Sequence, residues 1–232
     1  MTFENLGLSP ALLRTLAEAG YDHPTPIQAE AIPLVLAGHD VLGGAQTGTG
    51  KTAAFALPLL QRLAKQTPAN GPRKPRALVL VPTRELAVQV ADSLKAYGRG
   101  LRLGVTTLYG GAGMQPQMDS LRRGTDIVVA CPGRLLDHLE RGTAKLDAVE
   151  VLVLDEADRM LDMGFLPAIK RVVNRVPKDR QTLLFSATFE DQIKSLAMEF
   201  MRNPQQVQVA ARNTIAETIV HRAHPVDGAR KR

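Results

Sequence analysis

Two groups of residues in this sequence have the types and spacing to do chemistry on a phosphorylated ligand. The first is Ala45-Gln46-Thr47-Gly48-Thr49-Gly50-Lys51-Thr52, which follows a short apolar run and precedes a helical pattern from Ala53 to Lys65. Gly48 and Gly50 let the backbone turn its N–H groups inward, and the helix N-terminus adds a favourable dipole. Lys51 can then reach the β and γ phosphates, and Thr52 can ligate a magnesium ion. The second group is Asp155-Glu156, directly after Val151-Leu152-Val153-Leu154. A carboxylate pair at the end of a buried strand lies where open α/β sheets bind ligands. Asp155 would hold magnesium and Glu156 would polarise an attacking water. Taken singly, a glycine turn or an acidic pair is an ordinary surface feature. Their combination with a strand-to-helix junction at Lys51 favours a nucleotide site.

The elements that must position these groups follow from hydrophobic periodicity. Between Asp40 and Ala210, apolar runs alternate with longer stretches of helical period, the pattern of a parallel sheet with crossover helices. Seven strands are expected, centred on Val41-Leu42, Ala77 to Val81, Gly104 to Leu108, Ile127 to Ala130, Val151 to Leu154, Thr182 to Phe185 and Val207 to Val209. Most are apolar at consecutive positions, as strands covered on both faces should be. Ahead of them, Ser9 is expected to cap a helix from Pro10 to Ala19 stopped by Gly20, and Thr25-Pro26 opens another. The three prolines, Gly71 and basic residues Arg73, Lys74 and Arg76 between Gln66 and Arg76 predict an exposed loop.

Composition narrows the class further. The 232 residues are 44% hydrophobic and 22% charged, ordinary for a globular α/β chain. No apolar stretch approaches the roughly 20 residues of a membrane span, and the opening Met1 to Asn5 has no export signal, so a cytoplasmic location without membrane contact is expected. A single cysteine, Cys131, excludes an internal disulfide framework, and His221 and His224 are expected to be solvated rather than metal-bound. The net charge of +6 is compatible with a polyanionic partner.

Asp155-Glu156-Ala157-Asp158 spells the signature of the DEAD-box RNA helicases, and the resemblance to that family runs from Phe3 to about Val209. Gly20 to Gln28 resembles the family's adenine-recognition motif, which implies cofactor contacts from Tyr21, His23 and Gln28 beside the phosphate loop. The physics is compatible, since an amide donates and accepts at once and an aromatic ring offers a stacking face. Pro82-Thr83-Arg84, Gly110-Gly111 and Pro132-Gly133-Arg134 resemble RNA-contacting elements. Ser186-Ala187-Thr188, with Asp158, resembles the part that couples ATP state to RNA. Helix N-termini, glycine amides and arginines select phosphates and carry no base code, so the resemblance implies sequence-independent RNA binding. An aromatic content of 4% leaves few rings for base stacking. Where the family has Thr before Pro-Gly-Arg, this chain has Cys131, a weaker donor. In detail the opening Phe3 to Leu8 and the run Asp158 to Phe165 are most similar to the bacterial RhlE-type branch.

The resemblance implies a RecA-like P-loop three-layer sandwich with a mostly parallel sheet and an N-terminal helical extension. Residues 1–31 would be that extension, 32–210 the ATP-binding domain, and 211–232 a linker with the start of a second RecA-like domain. ATP and Mg2+ would be the cofactors. The second domain, which brings arginines to the γ-phosphate, has no counterpart here, so the isolated chain is expected to bind ATP and turn it over very slowly. An ATP-gated RNA clamp without significant unwinding uses the same motifs and stays open as an alternative. A P-loop kinase or GTPase is disfavoured, because Gln28 implies adenine.

Overall fold

The computed structural model describes residues 1–46, 48–65 and 73–209. Thr47, the segment 66–72 and everything from 210 onward, including His221, His224 and the expected linker, lie outside the described residues. After a 3₁₀ turn at Phe3–Leu6 come helices α1 (Pro10–Glu18) and α2 (Pro26–Leu36), and then strand and helix alternate. The order is β1 (Val41–Gly44), α3 (Lys51–Lys65), β2 (Ala77–Leu80), α4 (Arg84–Tyr97), β3 (Val105–Leu108), α5 (Met114–Arg122), β4 (Ile127–Ala130) and α6 (Pro132–Glu140). It continues through β5 (Val151–Leu154), α7 (Ala157–Asp162), α8 (Leu166–Val173), β6 (Gln181–Ser186), α9 (Asp191–Phe200) and β7 (Gln205–Gln208).

The strands form one seven-stranded sheet in the order β3-β4-β2-β5-β6-β1-β7. Each pairing is parallel, so the expected mostly parallel sheet is parallel throughout. The register aligns the strand exits: Leu80 lies opposite both Ala130 and Leu154, and Gly44 opposite Ser186. Side chains alternate between two cores. Val41, Val79, Val129, Val153 and Phe185 face the core that holds Phe55 and Leu60 of α3. Leu42, Leu80, Val128, Leu152 and Leu184 face the one that holds Leu135, Met160 and Ile169. A strand with both faces covered is apolar at every position, which is the pattern the sequence carries.

Glycine extends β1 beyond its two apolar residues for a packing reason. A Cβ on Gly43 would lie 2.6 Å from the ring of Phe185, so only glycine lets that ring cross the strand and meet Phe55 at 5.5 Å. Strand β7 is an edge strand with only Val207 buried, which is why three glutamines are tolerated in it.

The N-terminal helices share the α3 core: Phe3, Leu6, Leu12, Leu16, Ile27 and Ile32 are buried in the same cluster as Phe55. Gln61 of α3 fastens their approach, accepting from Ser9 N–H at 2.6 Å and donating to Gly7 O at 2.9 Å. Ser9 occupies the cap position as expected, but its side chain makes no cap bond. Of the basic stretch before β2, residues 66–72 lie outside the described residues, and 73–76 form no helix or strand, with Arg73 and Lys74 exposed as expected. Arg76 is buried and pairs with Glu150 at 2.7 Å, Arg73 reaches Asp126 at 3.1 Å, and Lys74 reaches Asp147 at 2.7 Å.

Asp40, 5% exposed, organises the edge where the strands begin. Its Oδ1 accepts from Thr182 N–H at 2.8 Å and its Oδ2 from Arg202 N–H at 2.7 Å, joining the entries of β1, β6 and β7. Asp40→Ala would leave both N–H groups without a charged acceptor, and is expected to lower unfolding free energy by about 3 kcal/mol. Urea denaturation measures it, and a loss below about 1 kcal/mol would mean that these bonds do not hold the edge.

Candidate functional site

Parallel pairing sends every strand exit to one edge of the sheet, and the sequence motifs occupy those exits. In sheet order the edge carries Gly110-Gly111 after β3, Pro132-Gly133-Arg134 after β4, Pro82-Thr83-Arg84 after β2, Asp155-Glu156 after β5, Ser186-Ala187-Thr188 at the end of β6, and the phosphate loop after β1.

The loop from Ala45 to Gly50 joins β1 to α3, with Gly48 at φ +82° and Gly50 at φ +92°. Both are left-handed conformations that a side chain would strain. Lys51 opens α3, is only 6% exposed, and its Nζ has no hydrogen-bond partner among the described residues. Thr49 turns its hydroxyl back to Gln46 O at 2.7 Å. A cavity of about 300 Å3 lies against Lys51 and is walled by Gly48, Gly50, Thr52, Asp155 and Glu156. Tyr21 and Gln28 also line it, so the N-terminal segment meets the phosphate loop and the β5 exit there. Ala45 and Gln46 line a neighbouring depression beside Ala187 instead. His23 is exposed and stands outside the cavity wall.

Gln28 begins α2 as half of a capping box: its Oε1 accepts from Thr25 N–H at 2.9 Å. Its Nε2 donates to Gly50 O at 3.1 Å, tying α2 to the phosphate loop. Sequence reasoning missed one wall, formed by Leu86, Gln89, Ser93 and Tyr97 of α4. Their spacing puts them on a single helical face, the signal that could have found them. Tyr97 meets Tyr21 edge to face at 6.1 Å, with the two hydroxyls 3.3 Å apart. Burial, and then that hydroxyl contact, push the Tyr97 phenol well above its ordinary pKa.

Asp155 is 3% exposed, and its Oδ1 accepts from Glu156 N–H at 3.0 Å. Burial raises its carboxyl to about 6, with Lys51 opposing and Glu156 adding to the shift. Glu156 has φ +51° and ψ +52°, a left-handed backbone at a non-glycine residue that costs on the order of 1 kcal/mol. Its carboxylate is steadied by Arg159 at 3.3 Å. One turn on, Asp158 Oδ2 accepts from Ala187 N–H at 3.0 Å, which joins the β5 exit to the β6 exit. Ser186 is fully buried, and its hydroxyl accepts from Thr188 N–H at 3.4 Å.

On the other half of the edge, Pro82 is buried and Thr83 caps α4, accepting from Leu86 N–H at 3.2 Å. The exposed Arg84 guanidinium lies 5.1 Å from the centre of the Tyr109 ring. Arg134 donates to Ala112 O at 2.9 Å, so the β3 exit is held from α6. Gly110, Gly111 and Gly133 are exposed. Cys131 sits at the cap of α6 and makes no cap bond, and burial, followed by Glu85, raises its thiol to about 11. Cys131 is therefore a neutral thiol at this position.

The Asp155 shift fixes a pH dependence. Its folded value, about 6, exceeds the ordinary 3.8. The folded state therefore holds the proton more tightly, and stability falls as pH rises through 6. In metal-free protein, the neutral isostere Asp155→Asn should raise Tm at pH 8, and the gain should shrink on acidification towards pH 4. Thermal scans with EDTA check this, and a gain independent of pH would refute the burial account.

Residues 25–196 match the family described as DEAD/DEAH box helicase. The chain is 48% identical over 231 residues to the ATP-dependent RNA helicase DeaD of Escherichia coli, covering 99% of this chain and 36% of that protein. It is 45% identical over 219 residues to the ATP-dependent RNA helicase CshA of Limosilactobacillus reuteri, covering 94% of this chain and 43% of that one. The chain thus spans less than half the length of these curated relatives. Among solved structures it is similar to a DEAD box protein from the hyperthermophile Methanococcus jannaschii, with a TM-score of 0.83 and 40% identity over 90% of this chain and 56% of that one. The shared architecture is RecA-like, and the matched span holds the strand-end motifs from Gln28 to Thr188; the chain belongs to the DEAD/DEAH box helicase family.

Proposed function

We propose that this chain is the ATP-binding half of an ATP-dependent RNA helicase, taking ATP with Mg2+ in the Lys51 cavity and an RNA backbone along the adjoining strand exits. The observation that carries the reading is Lys51. A buried ammonium with no partner is costly, and a triphosphate at a helix N-terminus supplies the partner. The backbone N–H groups of the Gly48–Gly50 turn and the α3 dipole act in the same direction.

The donor set suits Mg2+. Thr52 and Asp155 offer hard oxygens, and among the described residues no group of three His, Cys, Asp or Glu could hold a metal. That fits an ion held by one or two protein oxygens and otherwise by phosphate and water. When bound, it would neutralise phosphate charge and keep Asp155 ionised. Glu156 orients the attacking water from its fixed backbone position. Tyr21 offers a face, and Gln28 an amide edge, to adenine.

For RNA, the supporting observation is what the fold does not need. Gly110 and Gly133 have no left-handed φ, and a Cβ on either would meet nothing within 4 Å. Packing therefore leaves both positions open to any small residue, whereas close approach of an external sugar-phosphate chain asks for glycine. Arg84 and Arg134 add positive charge, and the first turns of α4, from Arg84, and of α6, from Gly133 after the N–H-less Pro132, add amides. Asp158, Ser186, Ala187 and Thr188 lie between this tract and the phosphate loop, and we read them as the coupling element.

Residues 1–31 would carry adenine recognition and 32–210 the ATPase half, with 211–232 leading to a second RecA-like domain. In the full-length protein that domain would close on ATP and RNA together and separate a short duplex. Lys51→Ala should abolish ATP binding, whereas Glu156→Gln should retain it and stop turnover in the two-domain protein. Equilibrium nucleotide titration and steady-state hydrolysis check both, and normal turnover by Glu156→Gln would remove Glu156 from its role. The 232 residues alone should show negligible RNA-stimulated hydrolysis. Robust stimulation would overturn the need for the second domain.

A further inference from the structure

His138 is fully buried on α6, and both of its ring nitrogens are engaged. Nδ1 lies 2.8 Å from Thr143 Oγ1 and Nε2 lies 3.2 Å from Gln117 Oε1. Gln117, 7% exposed on α5, donates from its Nε2 to Tyr109 O at 3.0 Å. Because that amide nitrogen serves a carbonyl, its oxygen faces the imidazole, and an amide oxygen can only accept. His138 must therefore carry a proton on Nε2. Burial, and then Arg134, lower its pKa, so the neutral ring is favoured and its unprotonated Nδ1 faces the Thr143 hydroxyl, which also donates within reach of the His138 carbonyl at 3.1 Å. The His138 carbonyl keeps its own donors, Thr143 N–H at 2.9 Å and Ala144 N–H at 3.2 Å.

The result is a directional chain, His138 to Gln117 to the Tyr109 carbonyl, with the ring proton on Nε2 and Thr143 against Nδ1. It ends on the residue whose ring lies beneath Arg84 and whose next neighbours are Gly110 and Gly111. The same loop has one other side-chain attachment among the described residues, Arg134 to Ala112 O at 2.9 Å. Gly110 and Gly111 are thus strung between two carbonyls, each held by a side chain from a helix behind.

We propose that Gln117 and His138 are positioning residues for RNA, setting the Tyr109–Ala112 loop through this tautomer-locked chain. The inference rests on the RNA reading of Arg84 and Gly110. Neither residue reaches the exposed tract itself. Losing the chain would leave the Tyr109 carbonyl without its donor and let the platform under Arg84 move, without touching the nucleotide cavity.

The test uses the full-length protein and a single-stranded oligouridylate, comparing the RNA concentration for half-maximal ATPase with kcat and with KM for ATP. Gln117→Leu and His138→Leu should raise the RNA requirement about tenfold with ATP parameters within about twofold. His138→Gln, which can still donate to Gln117 Oε1, should recover most of the loss. Nitrogen-15 spectra of the imidazole in this chain should show the proton on Nε2. Arg84→Ala controls for the parent reading. If it raises the RNA requirement and the Gln117 and His138 variants do not, this inference alone is overturned. If Arg84→Ala has no effect either, the RNA reading falls. An Nδ1 proton, or a His138→Gln variant no better than Leu, also overturns the positioning role.

Discussion

Parallel pairing is the constraint from which the rest of this molecule follows. A parallel strand cannot be joined to its neighbour by a tight turn, so each connection crosses the sheet as a helix and every strand leaves at the same edge. The two edges are then built differently. At the entry edge, polar side chains bind the main chain: Asp40 holds two backbone N–H groups, Gln181 donates to Val35 O and His39 O, and Asp126 takes Gly104 N–H at 2.7 Å, although the buried Arg180 Nε has no partner among the described residues. At the exit edge they are left in tension: Lys51 Nζ has no partner among the described residues, Asp155 is a buried acid, and Glu156 is held in a left-handed backbone.

That tension has an electrostatic logic. Asp155 and Lys51 lie in one cavity without a hydrogen bond between them, so each charge is only partly offset by the other. A direct ion pair would have satisfied both groups and left nothing for a ligand to complete. Holding them apart around about 300 Å3 of space leaves both charges facing one cavity, the feature on which the proposed binding of phosphate and cation together rests.

The sequence was most legible where residue type and period agree. Val151 to Leu154 and Ile127 to Ala130 are apolar at every position and bounded by polar residues, and both strands have the expected limits. Legibility failed where packing overrides propensity. Gly43 and Gly44 look like loop residues but are strand, because Phe185 and Phe189 lie against them. Glutamines hid the start of β7, whose side chains are mostly solvated. In the site, motifs exposed the residues whose types are unusual for their place, such as Lys51 and Asp155. They missed Ser93 and Tyr97, which are ordinary helix residues until the fold turns that face of α4 towards Tyr21. Arg76 misled for the converse reason, since the carboxylate partner that goes with its burial, Glu150, is remote in the chain.

The amide of Gln28 is fixed at both of its heavy atoms by main-chain groups, a donor at Thr25 and an acceptor at Gly50. Turning it over would set oxygen against oxygen and nitrogen against nitrogen, so its polarity is locked as well as its position. One hydrogen and one lone pair remain, in a fixed order. Whatever polar edge meets this amide meets it in one orientation only, so complementarity there is set by the order of donor and acceptor and not by size.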